Sequence, residues 1–306
     1  MKSRLIALAL CALLWLPAAH ADQPAQAIKR PLLWKVSDAD NAVYLLGSFH
    51  LLKDDDYPLP AEVDRAFDDS ASLLFEIDPA AMASPGAVAA VMQKYMGYDN
   101  GETLSTVLPK VTLARLSTLV SAGGGSMQVF EQSEPWVVNL GLVMGITQAM
   151  GFRQELGLDR SLMARAGAAG KPAAGLETVD DQMRAMDAVP RTEQVQGLEE
   201  FLADPQKAVR DMGNMHAWWR AGDVAKLDGE MRAEMARKSP ESYRLLDVER
   251  NQAWLPQVEK RLVDSRKDNT LVVVGALHLL GSDGLVEQLR AKGYTVERIC
   301  DACAAD

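Results

Sequence analysis

Leu46-Gly47-Ser48-Phe49-His50-Leu51-Leu52, near the start of the chain, has a counterpart near its end, Val274-Gly275-Ala276-Leu277-His278-Leu279-Leu280, displaced by 228 positions. Each heptapeptide closes an apolar run. Ala42-Val43-Tyr44-Leu45-Leu46 and Thr270-Leu271-Val272-Val273-Val274 are short, continuous and bounded by turn formers, the pattern of buried strands. After the first, a polar turn from Lys53 to Pro60 leads into an amphipathic helix over 61–70. A second strand follows, Ser72-Leu73-Leu74-Phe75-Glu76-Ile77, stopped by Asp78-Pro79. After the second heptapeptide, a helix from about Gly284 to Lys292 is closed by Gly293 and followed by a strand over 294–299.

The same order, strand, GxxH, helix, strand, at both ends predicts an α/β fold. Its core is a pseudo-symmetric pair of units whose parallel strands share a sheet or face each other, with the strand ends bringing the two histidines together. The strand carrying Glu76 is expected beside the first GxxH strand. The core halves fall at about 31–80 and 268–300, within a single domain over 22–306. The region between, about 81–267, reads as a largely helical insert. Its helices are expected over 109–120, 136–150, 158–168, 193–211 and 242–262, the last two kinked or split at Pro205 and Pro256. The apolar stretch 136–152 is interrupted by Asn139, Gln148 and glycines and is too short to span a bilayer, so it reads as a buried helix.

Lys2 and Arg4 precede the apolar run Leu5 to Leu16, Pro17 closes it, and Ala19-His20-Ala21 supplies the small residues of a cleavage site. A signal peptide over 1–21 is the expectation, giving a periplasmic or secreted protein with no stable membrane insertion after cleavage. The full chain carries 32 Lys and Arg against 42 Asp and Glu, a formal charge of −10, which loss of Lys2 and Arg4 deepens to −12. Such a surface repels phosphate backbones, and nucleic acid is excluded as a partner. Lys260, Arg261, Arg266 and Lys267 are interleaved with acids and read as a solvated face. Cys300 and Cys303 are expected to form a local structural disulfide in an oxidising compartment.

The two GxxH histidines are the first candidates for chemistry. An imidazole at a strand end can bind a divalent metal or act as a base, or it can simply be a satisfied structural histidine. Finding it twice in matched contexts favours the functional reading. Glu76, inside an apolar run, must face solvent or be paired if buried. A metal held by His50, Glu76 and His278 would pair it, and Asp78 could do similar work. Among the remaining candidates, His216 is expected to be a packing or surface residue, and Trp218 and Trp219 to pack in the core or between helices, with the lining of a groove as the alternative.

Several further segments accompany these: FEID at 75–78, Glu155-Leu156-Gly157-Leu158-Asp159, GLETVDDQ at 175–182, ERNQAW at 249–254 and VVVGALHLLGSDGL at 272–285. With LLGSFHLL at 45–52 they resemble the TraB/GumN family, relatives of the Tiki proteases. The resemblance covers most of the chain beyond the leader. It implies a two-part α/β core with paired GxxH motifs and, in the Tiki branch, a peptidase dependent on manganese or cobalt. Zinc also suits the donor set. Carried over by position, His50 and His278 match the GxxH histidines, and Glu76 the acidic strand position. Glu177, Arg250 and Asn251 match further family positions. The implied catalytic roles are Glu76, Glu177 as a base or as support for the site, and Arg250 on a substrate carboxylate or an oxyanion, with a structural salt bridge as the alternative for Glu177 and Arg250. The implied function is an exported metal-dependent hydrolase acting on a peptide or protein substrate. The alternatives are a non-catalytic peptide or ligand binder, and a metal-free hydrolase like the more distantly similar erythromycin-esterase-like proteins.

Overall fold

A computed structural model describes residues 30–264 and 268–305. The expected leader lies outside these residues, as do Arg266 and Lys267. Six strands form one mixed sheet: β1 Leu33–Ser37, β2 Ala42–Ser48, β3 Ser70–Ile77, β4 Ala173–Glu177, β5 Asn269–Gly275 and β6 Thr295–Arg298. Their order is β4-β3-β5-β2-β1-β6. Strands β2, β3, β4 and β5 are mutually parallel, and β1 runs antiparallel to both β2 and β6. Every residue of β2 is buried, as are the five central residues of β5, which is why both read as unbroken apolar runs.

The two end units interlock. Strand β2 continues through α1 (Ala61–Asp69) to β3, and β5 continues through a helix over Leu285–Ala291 to β6. Because β5 sits between β2 and β3, the strand carrying Glu76 neighbours the second GxxH strand, not the first as the sequence suggested. The crossover from β2 steps over one strand, which local patterning cannot reveal. Apart from β1, inserted between β2 and β6, and β4, added outside β3, the arrangement is the expected pseudo-symmetric pair.

The insert is helical apart from β4. Its longer helices are α2 Pro85–Tyr95, α3 Lys110–Ala122, α4 Pro135–Ala149, α5 Leu158–Ala169, α6 Val179–Asp187, α7 Arg191–Ala203, α8 Pro205–Ala221 and α9 Glu249–Asp264, and α10 Leu285–Ala291 follows β5. Asp204 ends α7 and caps α8, its carboxylate accepting from Lys207 N with Pro205 at the first helical position, so the split expected at Pro205 is present. Pro256 does not end α9. The irregularity falls earlier, in a π-helical turn over Arg244–Val248. Leu116, Val138, Leu198 and Phe201 form an apolar cluster between α3, α4 and α7, separate from the cluster that packs on the sheet.

Two contacts tie α8 to the first GxxH segment and the turn that follows it. Trp219 Nε1 donates to the Gly47 carbonyl at 2.9 Å. His216 Nε2 lies 2.9 Å from both oxygens of the fully buried Asp56, and its ring packs edge-on to Phe152. His216 is therefore a packing residue. Cys300 and Cys303 are disulfide-bonded, with Cα atoms 5.3 Å apart. Among the described residues no helix is long and apolar enough to cross a membrane.

Candidate active site

The end of β2 turns at Gly47, where a Cβ would lie 2.9 Å from the Leu32 Cβ and 3.2 Å from Ala276, so only glycine lets β1 and the segment after β5 close in. The chain then presents His50 beside the start of α5. A Cβ on Gly157 would collide with the His50 carbonyl, and Leu158 N donates to Phe49 O at 3.1 Å. This clamp brings Asp159 to His50, with Nδ1 3.4 Å from Asp159 Oδ1. Ser48 Oγ, 3.2 Å from the same oxygen, also accepts from the Asp159 backbone N–H. On the other side, His50 Nε2 is 3.8 Å from Glu76 Oε1. The imidazole lies deep in a cleft yet open to it, its side chain 55 % exposed. The enclosing protein lowers its pKa, but the hydrogen bond it donates to Asp159 and the charge of Glu76 outweigh that and push it up to about 9.

Glu76, next to last in β3, lies beside the end of β5. Gly275 N donates to its Oε1 at 2.6 Å, and Arg250 Nη2 to its Oε2 at 2.7 Å. Burial would raise its pKa, but the Arg250 and His50 charges and the Gly275 N–H hold it down at about 2. Arg250 projects from α9 and is engaged through every N–H it has. Nε and Nη2 reach Glu177, Nη2 also Glu76, and Nη1 the Leu246 carbonyl and His278 Nε2 at 3.1 Å. The guanidinium thus organises the centre and keeps no donor for a substrate. Glu177, at the end of β4, is held by Arg250 and by Trp254 Nε1, and burial raises its pKa. It sits behind Arg250 and is not among the residues lining the cleft.

Because a guanidinium only donates, His278 Nε2 must be the acceptor, which places the proton on Nδ1, 2.8 Å from Asn251 Oδ1. Asn251 Nδ2 donates in turn to Asp247 Oδ1 at 2.9 Å and to the Asp283 carbonyl. His278 is buried, and desolvation, with the Arg250 and His50 charges, holds its pKa down at about 3. Asp247, from the π-helical turn, is buried 3.9 Å from His278 Nδ1, and desolvation lifts its carboxyl to about 7 against the pull of Arg250 and Arg232.

The sequence model of the TraB/PrgY/gumN family matches residues 32–298, a span containing every one of these groups. The chain belongs to the TraB/PrgY/gumN family. It is similar to YbaP of Escherichia coli (strain K12) and to YbaP of Shigella flexneri, both uncharacterized proteins. Each is 25% identical over 247 residues, covering 81% of this chain and 87% of the relative. No solved structure matches the chain.

Sequence patterning and the family's motifs together pointed to His50, Glu76, Glu177, Arg250 and His278, and the fold of this family member gathers all five. Asp78 turns away to cap the helical turn at Pro79–Met82. A divalent ion at His50, Glu76 and His278 does not fit this arrangement. Both nitrogens of His278 and both oxygens of Glu76 are already engaged, three of those four atoms by Arg250 or the chain it stands on, and a second cation would meet the guanidinium. Among the described residues no group of three or more His, Cys, Asp or Glu is placed to hold a metal.

His50, Glu76, Asp159, Arg250 and His278 line one cleft of about 690 Å³ between the strand ends and the helical insert. Asp159 and Asp247 were not singled out from the sequence. Asp159 lies within the family segment at 155–159, and that segment was its only available signal.

Proposed function

We propose that this chain is an exported hydrolase of an acyl compound that uses His50 as general base and needs no metal for the step. One observation carries the reading: His50 is oriented by Asp159 at Nδ1 and open to a large cleft. A base held in place by a carboxylate beside a substrate-sized cavity is the arrangement from which water is activated. With Nδ1–H directed at Asp159, Nε2 is the basic atom. It takes a proton from water, the water oxygen adds to the acyl carbon, and the bond to the leaving group breaks as Nε2–H returns the proton to it. The imidazolium formed in between is stabilised by Asp159 and by Glu76 Oε1 at 3.8 Å. Arg250 holds Glu76, Glu177 and His278 in place and touches no reacting atom. Action outside the cytoplasm is supported by the leader-like sequence at 1–21 and the Cys300–Cys303 disulfide.

The test is hydrolysis of a panel of p-nitrophenyl acyl esters and apolar peptides in the presence of a chelator, by wild type and His50→Gln. The expected result is a kcat loss on the order of 100-fold or more in the variant, with the melting profile kept. Equal rates in the two proteins would defeat the reading. Tight ligand binding without turnover would favour the non-catalytic binder.

A further inference from the structure

Eight of the chain's 14 methionines line the one cleft. Met163, Met183, Met186, Met212 and Met215 are among them, brought in from α5, α6 and α8. Most of these side chains are half-buried, so they are held by the protein and still face the cavity. Leu51, Ile77, Leu140 and Trp219 add to the same walls. Methionine is unbranched and polarizable, and a wall of it adapts to flexible apolar chains without fixing their shape.

The polar residues of the cleft divide sharply. Ser48, His50, Glu76, Asp159, Gln182, Asp247, Arg250 and His278 all belong to the hydrogen-bonded network at its inner end. Outside that network only Gln154 and Arg160 remain, and Gln154 is exposed. A peptide laid along the methionine wall would bury backbone N–H and C=O groups with nothing to receive them, which disfavours it there. An alkyl chain has no such groups. Arg160, half-buried and next to Asp159, makes no hydrogen bond or ion pair with any described residue. A cation without a protein partner beside an apolar cavity suits an anionic group on the ligand.

We infer that the cleft accepts a long-chain acyl amphiphile, with the chain seated among the methionines and an anionic group at Arg160. This rests on the acyl-hydrolase reading for its chemistry but not for its binding. The bond cleaved is then a carboxylic ester or thioester of that chain. Water supplies the hydroxyl of the fatty acid and the proton taken up by the leaving alcohol or thiol, and those two are the products.

The probe is cis-parinaric acid, a fluorescent fatty acid, displaced from the full-length mature protein by saturated fatty acids from hexanoic to palmitic. Competitor affinity should rise about fourfold per added methylene until the cleft is full. Met183→Gln with Met186→Gln should weaken palmitate by at least about tenfold and flatten the series. Arg160→Ala should weaken palmitate roughly tenfold and leave the neutral alcohol of the same length unchanged. Fatty-acid binding without ester cleavage by the wild type would defeat the hydrolase reading and leave the acyl site standing. A flat chain-length series, or displacement of the probe by an apolar peptide but not by fatty acids, would overturn the inference.

Discussion

At His50 the charge balance makes a kinetic prediction. Its pKa of about 9 lies above the ordinary 6.5, so the free base is scarce at neutral pH and grows tenfold per unit up to about 9. The expected kcat/KM on an acyl ester rises through that range and levels off, and Asp159→Asn moves the limb to lower pH by removing a carboxylate from Nδ1. A profile that is flat from neutrality to pH 10 would count against His50 as base. Asp247 gives a second test, with the opposite kind of group. Its carboxyl titrates at about 7 against an ordinary 3.8, so the unfolded chain releases its proton first. The stability it contributes is fully present below about pH 4 and is lost as pH rises through 7. Asp247→Asn should abolish that decline, a gain of roughly 2–4 kcal/mol at pH 8 in urea denaturation. The amide oxygen can still accept from Asn251. Both histidines were legible in the sequence because each marks a repeated motif, and Glu76 because a charge interrupts an apolar run. Asp159 reaches His50 through a long-range clamp, which no local pattern encodes.

At the scale of elements, the sequence was read correctly where a segment has one strong period. β2, β3, β5 and the helices α1, α3, α4 and α5 lie within a residue or two of their expected bounds. β4 escaped because Ala173-Ala174-Gly175-Leu176-Glu177 has little strand propensity. It is a strand because β3 offers it an edge, and Gly175 lets it pass Asp78, where a Cβ would collide with the backbone N. The π-helical turn was equally hidden. It places the Leu246 carbonyl on Arg250 and Asp247 behind Asn251, a use of the extra residue that π turns often have at functional sites. The clamp at the start of α5 is testable by itself. Gly157→Ala would push the segment carrying His50 away from α5. It should cost about 2 kcal/mol in chemical denaturation and lower kcat more than it raises KM. An unchanged kcat would mean that the clamp does not position His50. Trp254 packs between Arg250 and His278, with ring or guanidinium centres 4.6 Å from each. Trp254→Ala should destabilise by about 3–5 kcal/mol.

Across the whole molecule, the two end units interlock through β2 and β5, so the site is assembled from residues at opposite ends of the chain and from the insert between them. The duplicated motif made the α/β class and the meeting of the histidines legible. The strand order was not, because a crossover can step over one neighbour or none without changing any local pattern. Burying the charged centre also sets the acid limb of stability. Glu76 is held at about 2 against 4.5 and His278 at about 3 against 6.5, both depressed, so their contributions are present above the ordinary values. They are lost as pH falls, His278 between about 6.5 and 3 and Glu76 between about 4.5 and 2. In the Asp247→Asn background, where no opposing carboxyl titrates, thermal melting should therefore fall steadily below pH 6, and a Tm independent of pH from 6 to 3 would contradict this.

We propose that Arg250, not a metal ion, completes the His50, Glu76 and His278 centre. The most direct measurement is acyl-ester hydrolysis by the mature protein after exhaustive chelation, with metal content determined on the same sample. Full activity without stoichiometric metal is the predicted result. Loss of activity on chelation, restored by manganese, cobalt or zinc, would instead place a metal in the centre.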